Sequence, residues 1–271
     1  MGNSRAEGGR GRAAELERQL CEKIQGELRC DALSRELYST DASLYRVEPL
    51  WVLLPASEQD VVEAVRVCRE QGASITARGA GTSLAGQAVG SGLQVDFSRH
   101  LNRILEIDAA RRFARVQPGV VLDELNRALH LHGLRFGAEV ATGSRATLGG
   151  MIANNSSGAR SLVHGVTADH LQELMVVLSD GSRCCLRALT GEELRAKQRQ
   201  QDLEGHIYRC IPAIAQDNAQ LVRQRFPAVQ RRVSGYNLDA FLRPSAGVDL
   251  CRLLAGSEGT LALVLQAKLG L

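Results

Sequence analysis

The sequence predicts an α+β protein, with a small β-α-β subdomain followed by a larger subdomain whose mostly antiparallel sheet is flanked by helices. Residues 51–77 have the pattern of a strand, a helix and a second strand. The short alternating segments at 104–107 and 113–117 are typical of antiparallel strands. A chain of 271 residues, 44% of them hydrophobic, can bury one large core or two small ones. We therefore expect one subdomain over residues 51–100 and another over residues 101–271.

The residues before the first strand are predicted to be a tail and a helical segment. Residues 1–14 contain no apolar core of a signal peptide and are expected to form a disordered tail. From Ala13 to Leu37 the pattern is helical, and residues 15–50 make up an N-terminal helical segment. The apolar residues that recur four apart on one stripe are Leu16, Leu20, Ile24 and Leu28.

Start and stop signals define the first subdomain. A buried strand at 51–54 is followed by a helix over 58–71 and by a strand at 74–77. Ser57, with an acidic residue three positions later, resembles a capping box, and Gly72 ends the helix. Because α/β sheets bind ligands beyond the carboxyl ends of their strands, the loop after the second strand is a candidate site.

A glycine-rich stretch at 76–90 follows that strand and is predicted to cradle phosphate. Glycine lets the backbone approach a ligand closely, so that successive N–H groups can converge on phosphate oxygens. Thr82 and Ser83 add hydroxyl donors, and residues 93–97 predict another strand, which implies a tight loop between two strands. The alternative is a plain glycine-rich surface turn. A Walker A loop would need a lysine that is absent here, and the dinucleotide fingerprint would need glycine at Leu84 and a helix afterwards.

Two further stretches rich in small and hydroxylated residues lie in the larger subdomain. Residues 142–158 have too many of them for an ordinary core element and could line a planar ligand, with Thr147 and Asn154 among the donors. The alternative is a packing helix rich in Ala and Gly. Residues 256–260 form a third loop of this kind, beside a predicted strand at 261–265.

The rest of the larger subdomain is predicted to contain helices and one hairpin. A leucine-lined helix ends at Gly133. Strands at 174–178 and 183–187 flank the turn signal Asp180-Gly181. Residues 190–245 are polar and helical, and we interpret them as a helical insertion. The expected breaks in it are Pro212, Pro227 and Pro244.

Composition excludes several classes of protein and predicts a soluble globular one. The net charge is +3 and the arginines are scattered among apolar positions, which argues against a nucleic-acid interface. No apolar run reaches the roughly eighteen residues of a membrane span. The seven cysteines are odd in number and contain no Cys-x-x-Cys pair, so we expect no metal site and buried thiols in a reducing compartment.

Three glycine and hydroxyl loops in one chain make the sequence similar to a known family. It resembles the FAD-binding domain of the p-cresol methylhydroxylase (PCMH) type, within the vanillyl-alcohol oxidase superfamily, and in particular its D-lactate dehydrogenase and glycolate oxidase branch. The resemblance covers residues 36–271. It rests on the motifs Thr40-Asp-Ala-Ser-x-Tyr45, Arg78-Gly-Ala-Gly-Thr-Ser83, Gln117-Pro-Gly119, Ala146-Thr-Leu-Gly-Gly-Met-Ile-Ala-Asn-Asn-Ser-Ser-Gly158, Ser234-Gly-Tyr-Asn-Leu238 and Gly256-Ser-Glu-Gly-Thr260.

The resemblance implies a PCMH-type FAD-binding fold and a set of cofactor contacts. Both subdomains would grip FAD between them, with residues 78–83 on the pyrophosphate and residues 147–158 along the flavin and ribityl chain. Pro118, Gly119 and residues 256–260 would close around the same cofactor. The cofactor-binding residues that follow are Arg78, Gly79, Ala80, Gly81, Thr82, Ser83, Gly86, Gln87, Pro118, Gly119, Thr142, Ser144, Thr147, Gly149, Gly150, Asn154, Ser157, Gly158, Gly256, Glu258 and Gly259.

The chemistry that the resemblance implies is oxidation of a D-2-hydroxy acid by hydride transfer to FAD, with D-lactate to pyruvate as the expected reaction. D-2-hydroxyglutarate and glycolate are alternative substrates, and electrons would pass to a quinone, a cytochrome or an iron–sulfur module. The family's cap domain and C-terminal catalytic segment would follow Leu271. We therefore assign no catalytic residue, and we interpret His164 and His170 as packing or flavin-side groups.

Two functions of different classes remain open from the sequence. The first is the FAD half of a D-2-hydroxy-acid dehydrogenase. The second is a non-catalytic flavin-binding subunit or a truncated interaction protein. In either case we expect a cytoplasmic protein, either free or at the inner face of the membrane.

Overall fold

The computed structural model describes nearly the whole chain, and the chain divides into two compact units. The described residues are 3–229, 232–233, 235–242 and 247–271. The two units are Met1–Asn102 with Ser179–Ser182, and Arg103–Leu178 with Arg183–Leu271.

The first unit is built on a four-stranded sheet. Its elements are α1 (Asn3–Lys23), β1 (Glu27–Arg29), α2 (Ala32–Leu37), β2 (Trp51–Leu54), α3 (Glu58–Gln71), β3 (Ile75–Arg78) and β4 (Leu93–Asp96). The strand order is β1-β2-β4-β3, in which β2, β4 and β3 run parallel and β1 pairs antiparallel with β2. Every residue of β2 and β4 is buried, as is typical of parallel strands covered on both faces. The predicted strand, helix and strand of this unit are confirmed.

The glycine-rich stretch after β3 is a crossover, so the predicted tight loop between two strands is wrong. β3 and β4 are parallel neighbours, and the chain must therefore return from the carboxyl end of one strand to the amino end of the other. Residues 79–92 make that return without forming a helix. The backbone groups of the crossover consequently need partners outside helix or sheet.

The helical pattern predicted from Ala13 to Leu37 is interrupted by a strand. α1 ends at Lys23, and Gly26 lies so close to the backbone of Leu54 that a Cβ atom there would overlap the carbonyl oxygen of Leu54. β1 then pairs with β2 before α2 begins. The break arises because β2 offers unpaired backbone groups on that side, and pairing them outweighs continuation of the helical stripe.

The predicted tail at 1–14 lies largely within α1, which begins at Asn3. Met1 and Gly2 lie outside the described residues. Leu16 and Leu20 are buried and anchor this helix. Adding residues to a formed helix is far easier than starting one, which accounts for a helix that extends beyond its apolar stripe.

Asp60 is a buried carboxylate that joins three segments of the first unit. Its oxygens accept hydrogen bonds from the amides of Gln25 (3.0 Å) and Ala56 (2.8 Å) and from the hydroxyl of Ser57 (3.2 Å). The Ser57 hydroxyl in turn caps α3 by accepting from the amide of Asp60. The predicted start of the helix is thereby confirmed, and the same carboxylate holds the end of α1 beside the turn after β2.

The second unit contains a six-stranded sheet in which every neighbouring pair is antiparallel, as predicted. Its strands are β5 (Ile104–Asp108), β6 (Phe113–Val116), β7 (Leu171–Val177), β8 (Arg183–Leu189), β9 (Val248–Asp249) and β10 (Leu263–Gly270). Its helices are α4 (Leu122–His130), α5 (Leu148–Ala153), α6 (Ser161–His164), α7 (Gly191–Arg199), α8 (Leu203–Asp217), α9 (Ala219–Arg225) and α10 (Leu250–Leu254), with 3₁₀ turns at Thr167–His170 and Leu238–Leu242. The strand order is β5-β6-β10-β7-β8-β9.

The predicted helical insertion contains α7, α8 and α9, but Pro212 does not break it. Pro212 lies inside α8, where proline removes the hydrogen bond to the carbonyl four residues earlier. That carbonyl belongs to Tyr208, and the side-chain amide of Gln198 donates to it instead, at 3.3 Å. Pro227 follows α9 as predicted, whereas Pro244 lies outside the described residues.

Asp60→Ala should lower the free energy of unfolding of the protein by about 2–3 kcal/mol, because two amides would lose a buried charged acceptor. Urea unfolding followed by circular dichroism measures the change. Glu70→Ala is the matched control, since Glu70 is an exposed carboxylate on the same helix, and it should shift stability by less than about 0.5 kcal/mol. Equal midpoints for the two variants would show that Asp60 does not hold these segments together.

Candidate cofactor site

The crossover at 79–92 begins with a row of unused backbone donors. No residue that the structure describes accepts a hydrogen bond from the amides of Gly79, Ala80, Gly81 and Thr82. Gly81 has a φ of 66°, in the left-handed region that favours glycine. Successive amides in such a turn form a concave site for an anion. The first unit therefore fits a phosphate or diphosphate group at this loop.

Arg78 stands at the start of the loop, and its guanidinium is committed to backbone carbonyls. Nη2 donates to the carbonyl of Thr40 at 2.8 Å, while Nη1 donates to the carbonyls of Ala88 at 2.9 Å and Tyr38 at 3.3 Å. Burial lowers the pKa of Arg78 from its ordinary value. Three of its five N–H donors are thus occupied within the first unit.

The segment at 38–45 packs against the crossover and was missing from the predicted site. The amide of Ala42 donates to the carbonyl of Gly81 at 2.9 Å, and a carboxylate oxygen of Asp41 accepts from the amide of Ala88 at 3.3 Å. Burial would raise the pKa of Asp41, but hydrogen bonds from Ser43 and from the Ala88 amide outweigh it, so that pKa lies below its usual value. The sequence signal was the Thr40-Asp-Ala-Ser motif, which carried the resemblance but no assigned role.

The later predicted residues of the crossover help to fix its own course. Gly86 has a φ of 80°, and a Cβ atom there would lie 2.8 Å from the ring of Tyr45. The side-chain oxygen of Gln87 accepts from the amide of Ala85 at 3.2 Å. Thr82 and Ser83 are only partly buried.

In the second unit, the start of α5 is wedged against the turn that holds Pro118 and Gly119. The amide of Gly149 donates to the carbonyl of Pro118 at 2.8 Å, and a Cβ atom at Gly149 would lie 2.7 Å from Cβ of Pro118. Thr147 caps the helix through its hydroxyl, which accepts from the amide of Gly150 at 3.4 Å. Of the two predicted glycines, Gly149 is thus required for the close approach of α5 to this turn, whereas a Cβ atom at Gly150 would meet only the Thr147 hydroxyl, at 3.4 Å.

The end of α5 meets the third predicted loop. The amide of Gly256 donates to the carbonyl of Ile152 at 3.1 Å, and the amide of Glu258 donates to the carbonyl of Ala153 at 2.9 Å. Glu258 and Gly259 both have positive φ, at 53° and 79°. The segments predicted at 142–158 and 256–260 are therefore brought together within the second unit.

Beyond α5 the chain carries buried polar groups. Asn155 is buried, and its side-chain oxygen accepts from the amide of Ala168 at 2.9 Å. The hydroxyl of Ser157 is buried and has no hydrogen-bond partner among the described residues. Gly158 lies against the backbone of Glu139, where a Cβ atom would overlap the carbonyl oxygen. An unsatisfied buried hydroxyl is costly, so Ser157 fits a site that is completed by a ligand.

Two predicted residues lie apart from this cluster, in an exposed turn before α5. The carbonyl of Thr142 accepts from the amides of Arg145 and Ala146, each at 2.8 Å, and Ser144 is exposed. Asn154 lies at the end of α5, where its amide donates to the carbonyl of Gly150 at 3.0 Å.

Two histidines, His164 and His170, lie near these segments. The ring of His170 lies 5.1 Å from that of Phe136, and its Nε2 lies 2.8 Å from the carbonyl oxygen of His164. The ring of His170 is thus engaged by internal contacts, whereas His164 is exposed. The catalytic residue therefore stays unassigned.

The described part of the chain contains no group of three or more His, Cys, Asp or Glu side chains that could hold a metal ion. Within the same residues, no helix is long and apolar enough to cross a membrane. None of the seven cysteines forms a disulfide in the described structure, and Cys68, Cys184 and Cys251 are buried. The prediction of buried thiols is therefore wrong for Cys21, which is exposed, and for Cys30, Cys185 and Cys210, which are only partly buried.

Comparison with known proteins decides the family. A sequence model of the FAD binding domain matches residues 49–186. The chain belongs to this family. FAD is accordingly the cofactor of the domain, and the predicted resemblance to the PCMH-type FAD-binding fold is confirmed.

The relatives of this FAD-binding chain are larger enzymes. D-2-hydroxyglutarate dehydrogenase of Pantoea ananatis is 38% identical over 258 residues, which cover 94% of this chain and 25% of the relative. The enzyme of the same name from Pseudomonas putida is 38% identical over 91% of this chain and 25% of its own length. Glycolate oxidase subunit GlcD of Bacillus subtilis is 32% identical over 86% of this chain and 39% of the relative. The chain thus spans a quarter of the length of the two dehydrogenases.

A solved structure has the same fold. Alkyldihydroxyacetonephosphate synthase matches with a TM-score of 0.67 at 21% identity, over 95% of this chain and 40% of that chain. At this level of identity the likeness concerns the fold alone.

Gly81→Val should raise the dissociation constant for FAD tenfold or more, which corresponds to a loss of at least about 1.4 kcal/mol of binding free energy. Valine is strained at a φ of 66°, and its Cβ would lie 2.8 Å from Nη2 of Arg78, so the row of free amides would shift. Titration of the apoprotein by flavin fluorescence measures the affinity.

Gly72→Val is the matched control for this change. Gly72 has a φ of 67°, ends α3 in the same unit, and has open space around it. The two variants should lose similar thermal stability, but only Gly81→Val should lose affinity. Undiminished FAD binding by Gly81→Val would mean that this loop is not the phosphate cradle.

Proposed function

We propose that this chain is the FAD-binding part of a flavin-dependent dehydrogenase of D-2-hydroxy acids. The main support is the identity of 38% to D-2-hydroxyglutarate dehydrogenases over more than nine-tenths of the chain. The row of free amides at 79–82 supports the cofactor half of the proposal, because it fits the diphosphate of FAD.

Within this proposal the substrate is D-2-hydroxyglutarate in preference to D-lactate. The relatives reported above are named for D-2-hydroxyglutarate and for glycolate, and those names give D-lactate no support. Glycolate is the second candidate. The reducing equivalents would leave toward a quinone, a cytochrome or an iron–sulfur module.

Each unit has a separate task in binding the cofactor. In the first unit, the amides of residues 79–82 and the hydroxyls of Thr82 and Ser83 would hold the pyrophosphate. In the second unit, the hydroxyl of Ser157, which is buried beyond the end of α5, would donate to or accept from the cofactor. FAD, once bound, supplies the acceptor for the hydride of the substrate carbon.

The glycine, hydroxyl and amide residues of the predicted site would orient FAD but offer no acid or base for the hydroxyl proton. Gly, Ser, Thr and Asn provide dipoles and no group that titrates near neutral pH. A 2-hydroxy acid also needs a cation for its carboxylate, and Arg78 is engaged by three carbonyls. The proposal therefore places substrate binding and proton removal on groups other than the predicted cofactor residues. A non-catalytic flavin-binding subunit is the alternative that the same residues allow.

The purified chain should carry FAD without a covalent bond. None of the predicted cofactor residues is a histidine or cysteine, the side chains that attach flavins covalently. Flavin absorption bands that are lost from the protein after acid precipitation are the expected result. Flavin that stays with the precipitate would contradict it, and a colourless protein that takes up no FAD would refute the proposed function.

With FAD bound, the chain of 271 residues should oxidise D-2-hydroxyglutarate, D-lactate and glycolate slowly. Its turnover should lie far below the roughly 1–10 per second that is common among enzymes. Lack of a positioned general base alone costs a factor of about 10²–10⁴. Dye-linked turnover with the three acids measures this, and any residual rate should be highest with D-2-hydroxyglutarate. Ordinary turnover would instead place the base within the chain, and His164 and His170 would be the first residues to mutate.

A further inference from the structure

The residues behind the phosphate loop form a connected polar structure of which the predicted cofactor residues include only Arg78. It consists of Arg78, the segment at 38–45 and two side chains of β4. The family match begins at residue 49, so the segment at 38–45 lies outside the matched range. All of these residues belong to the first unit.

Arg78 joins two segments that are distant in sequence. Its guanidinium bridges the carbonyls of Tyr38 and Thr40 on one side and that of Ala88 on the other, at 2.8–3.3 Å. It also stacks 5.1 Å from the centre of the Tyr38 ring. The planar fork of arginine can bridge several acceptors in fixed directions, whereas the ammonium of lysine acts as a point charge.

The charge of Arg78 is already balanced within this structure. The carboxylates of Asp96 and Asp41 both stabilise its charged form. Asp96 is buried and accepts from the hydroxyl of Tyr38 at 2.6 Å. A cation with these counter-charges and three carbonyl partners has little left to offer a diphosphate.

Contacts of the same structure fix the direction of the cradle amides. In a trans peptide the C=O of one residue and the N–H of the next point in opposite directions. The carbonyl of Gly81 accepts from Ala42, so the N–H of Thr82 points away from the segment at 38–45. The carbonyl of Arg78 accepts from the amide of Phe97 at 3.1 Å, so the N–H of Gly79 points away from Phe97, the residue that follows β4.

The segment at 38–45 is itself anchored to the central strand. The side-chain amide of Gln94 is fully buried and donates to the carbonyl of Tyr38 at 2.9 Å. Together with the bond from Tyr38 to Asp96, this attaches the segment to two positions of β4. The position of the segment is therefore set by the sheet, and the segment in turn sets the loop.

We propose that Arg78 is a positioning residue and not a phosphate ligand, and that residues 38–45 form the back wall of the FAD phosphate cradle. The proposal rests on the proposed cofactor role of the loop at 79–82. It adds that FAD affinity depends on a segment that does not touch the phosphate. Thermodynamic linkage then requires that FAD binding in turn stabilises the segment at 38–45, because FAD would bind only the conformation of the loop at 79–82 that this segment supports.

Hydrogen exchange measured by mass spectrometry, with and without saturating FAD, tests this coupling in the intact chain. We expect slower exchange both in peptides that cover 79–83 and in peptides that cover 38–45, including the amide of Ala42. Protection of 79–83 alone would overturn the back wall and leave the cofactor site standing. Protection of neither, with FAD bound, would refute the cofactor site itself.

Substitution of Arg78 tests the positioning role. Arg78→Ala and Arg78→Lys should each raise the dissociation constant for FAD by tenfold or more. Added guanidinium ion should restore part of the FAD affinity of Arg78→Ala. Arg69→Ala, which removes an exposed arginine, is the control and should bind FAD as the parent does, with or without guanidinium. A lysine variant with nearly the parent affinity would show that Arg78 supplies charge to the phosphate, which would overturn the proposal. If a variant fails to fold, the exchange experiment on the unmodified chain still decides.

Discussion

The parallel pairing of β3 and β4 is the constraint on which the cofactor loop depends. Two adjacent parallel strands force the chain to cross the sheet, and this crossover is usually a helix that satisfies its own backbone. Here residues 79–92 cross without a helix, so their amides and carbonyls must be satisfied by other groups. Arg78 and the segment at 38–45 satisfy the groups behind the loop, and the amides in front remain available to an anion.

The second unit meets a comparable demand by close backbone packing. Gly149 fits against Pro118 because it has no Cβ, and the amides of residues 256 and 258 reach the last carbonyls of α5. Small residues at both ends of a short helix therefore allow three separate segments to converge.

These arrangements divide the work of a flavoenzyme in a definite way. The free amides at 79–82 present dipoles that suit a diphosphate, while the guanidinium of Arg78 and the ring of His170 are occupied by internal contacts. Binding and orientation of FAD are thus built into this chain. Under the proposed function, the acid and base chemistry of a 2-hydroxy acid needs groups of another kind, and the matched region is only a quarter of the length of the two D-2-hydroxyglutarate dehydrogenases.

The sequence alone determined the class of fold, the β-α-β order of the first unit, the antiparallel sheet of the second, and the glycine-rich segments that belong to the FAD-binding family. Local signals suffice for these features, because Ser57 and Gly72 delimit α3 and positive φ selects glycine at Gly81. Tertiary contacts decided the rest. The helical pattern from Ala13 to Leu37 is interrupted because β1 pairs with the edge of β2. Pro212 is tolerated inside α8 because the side-chain amide of Gln198 donates to the carbonyl of Tyr208, which proline cannot bond. Arg78 turned toward three carbonyls that lie ten to forty residues away, and such contacts have no period or spacing that a sequence could reveal.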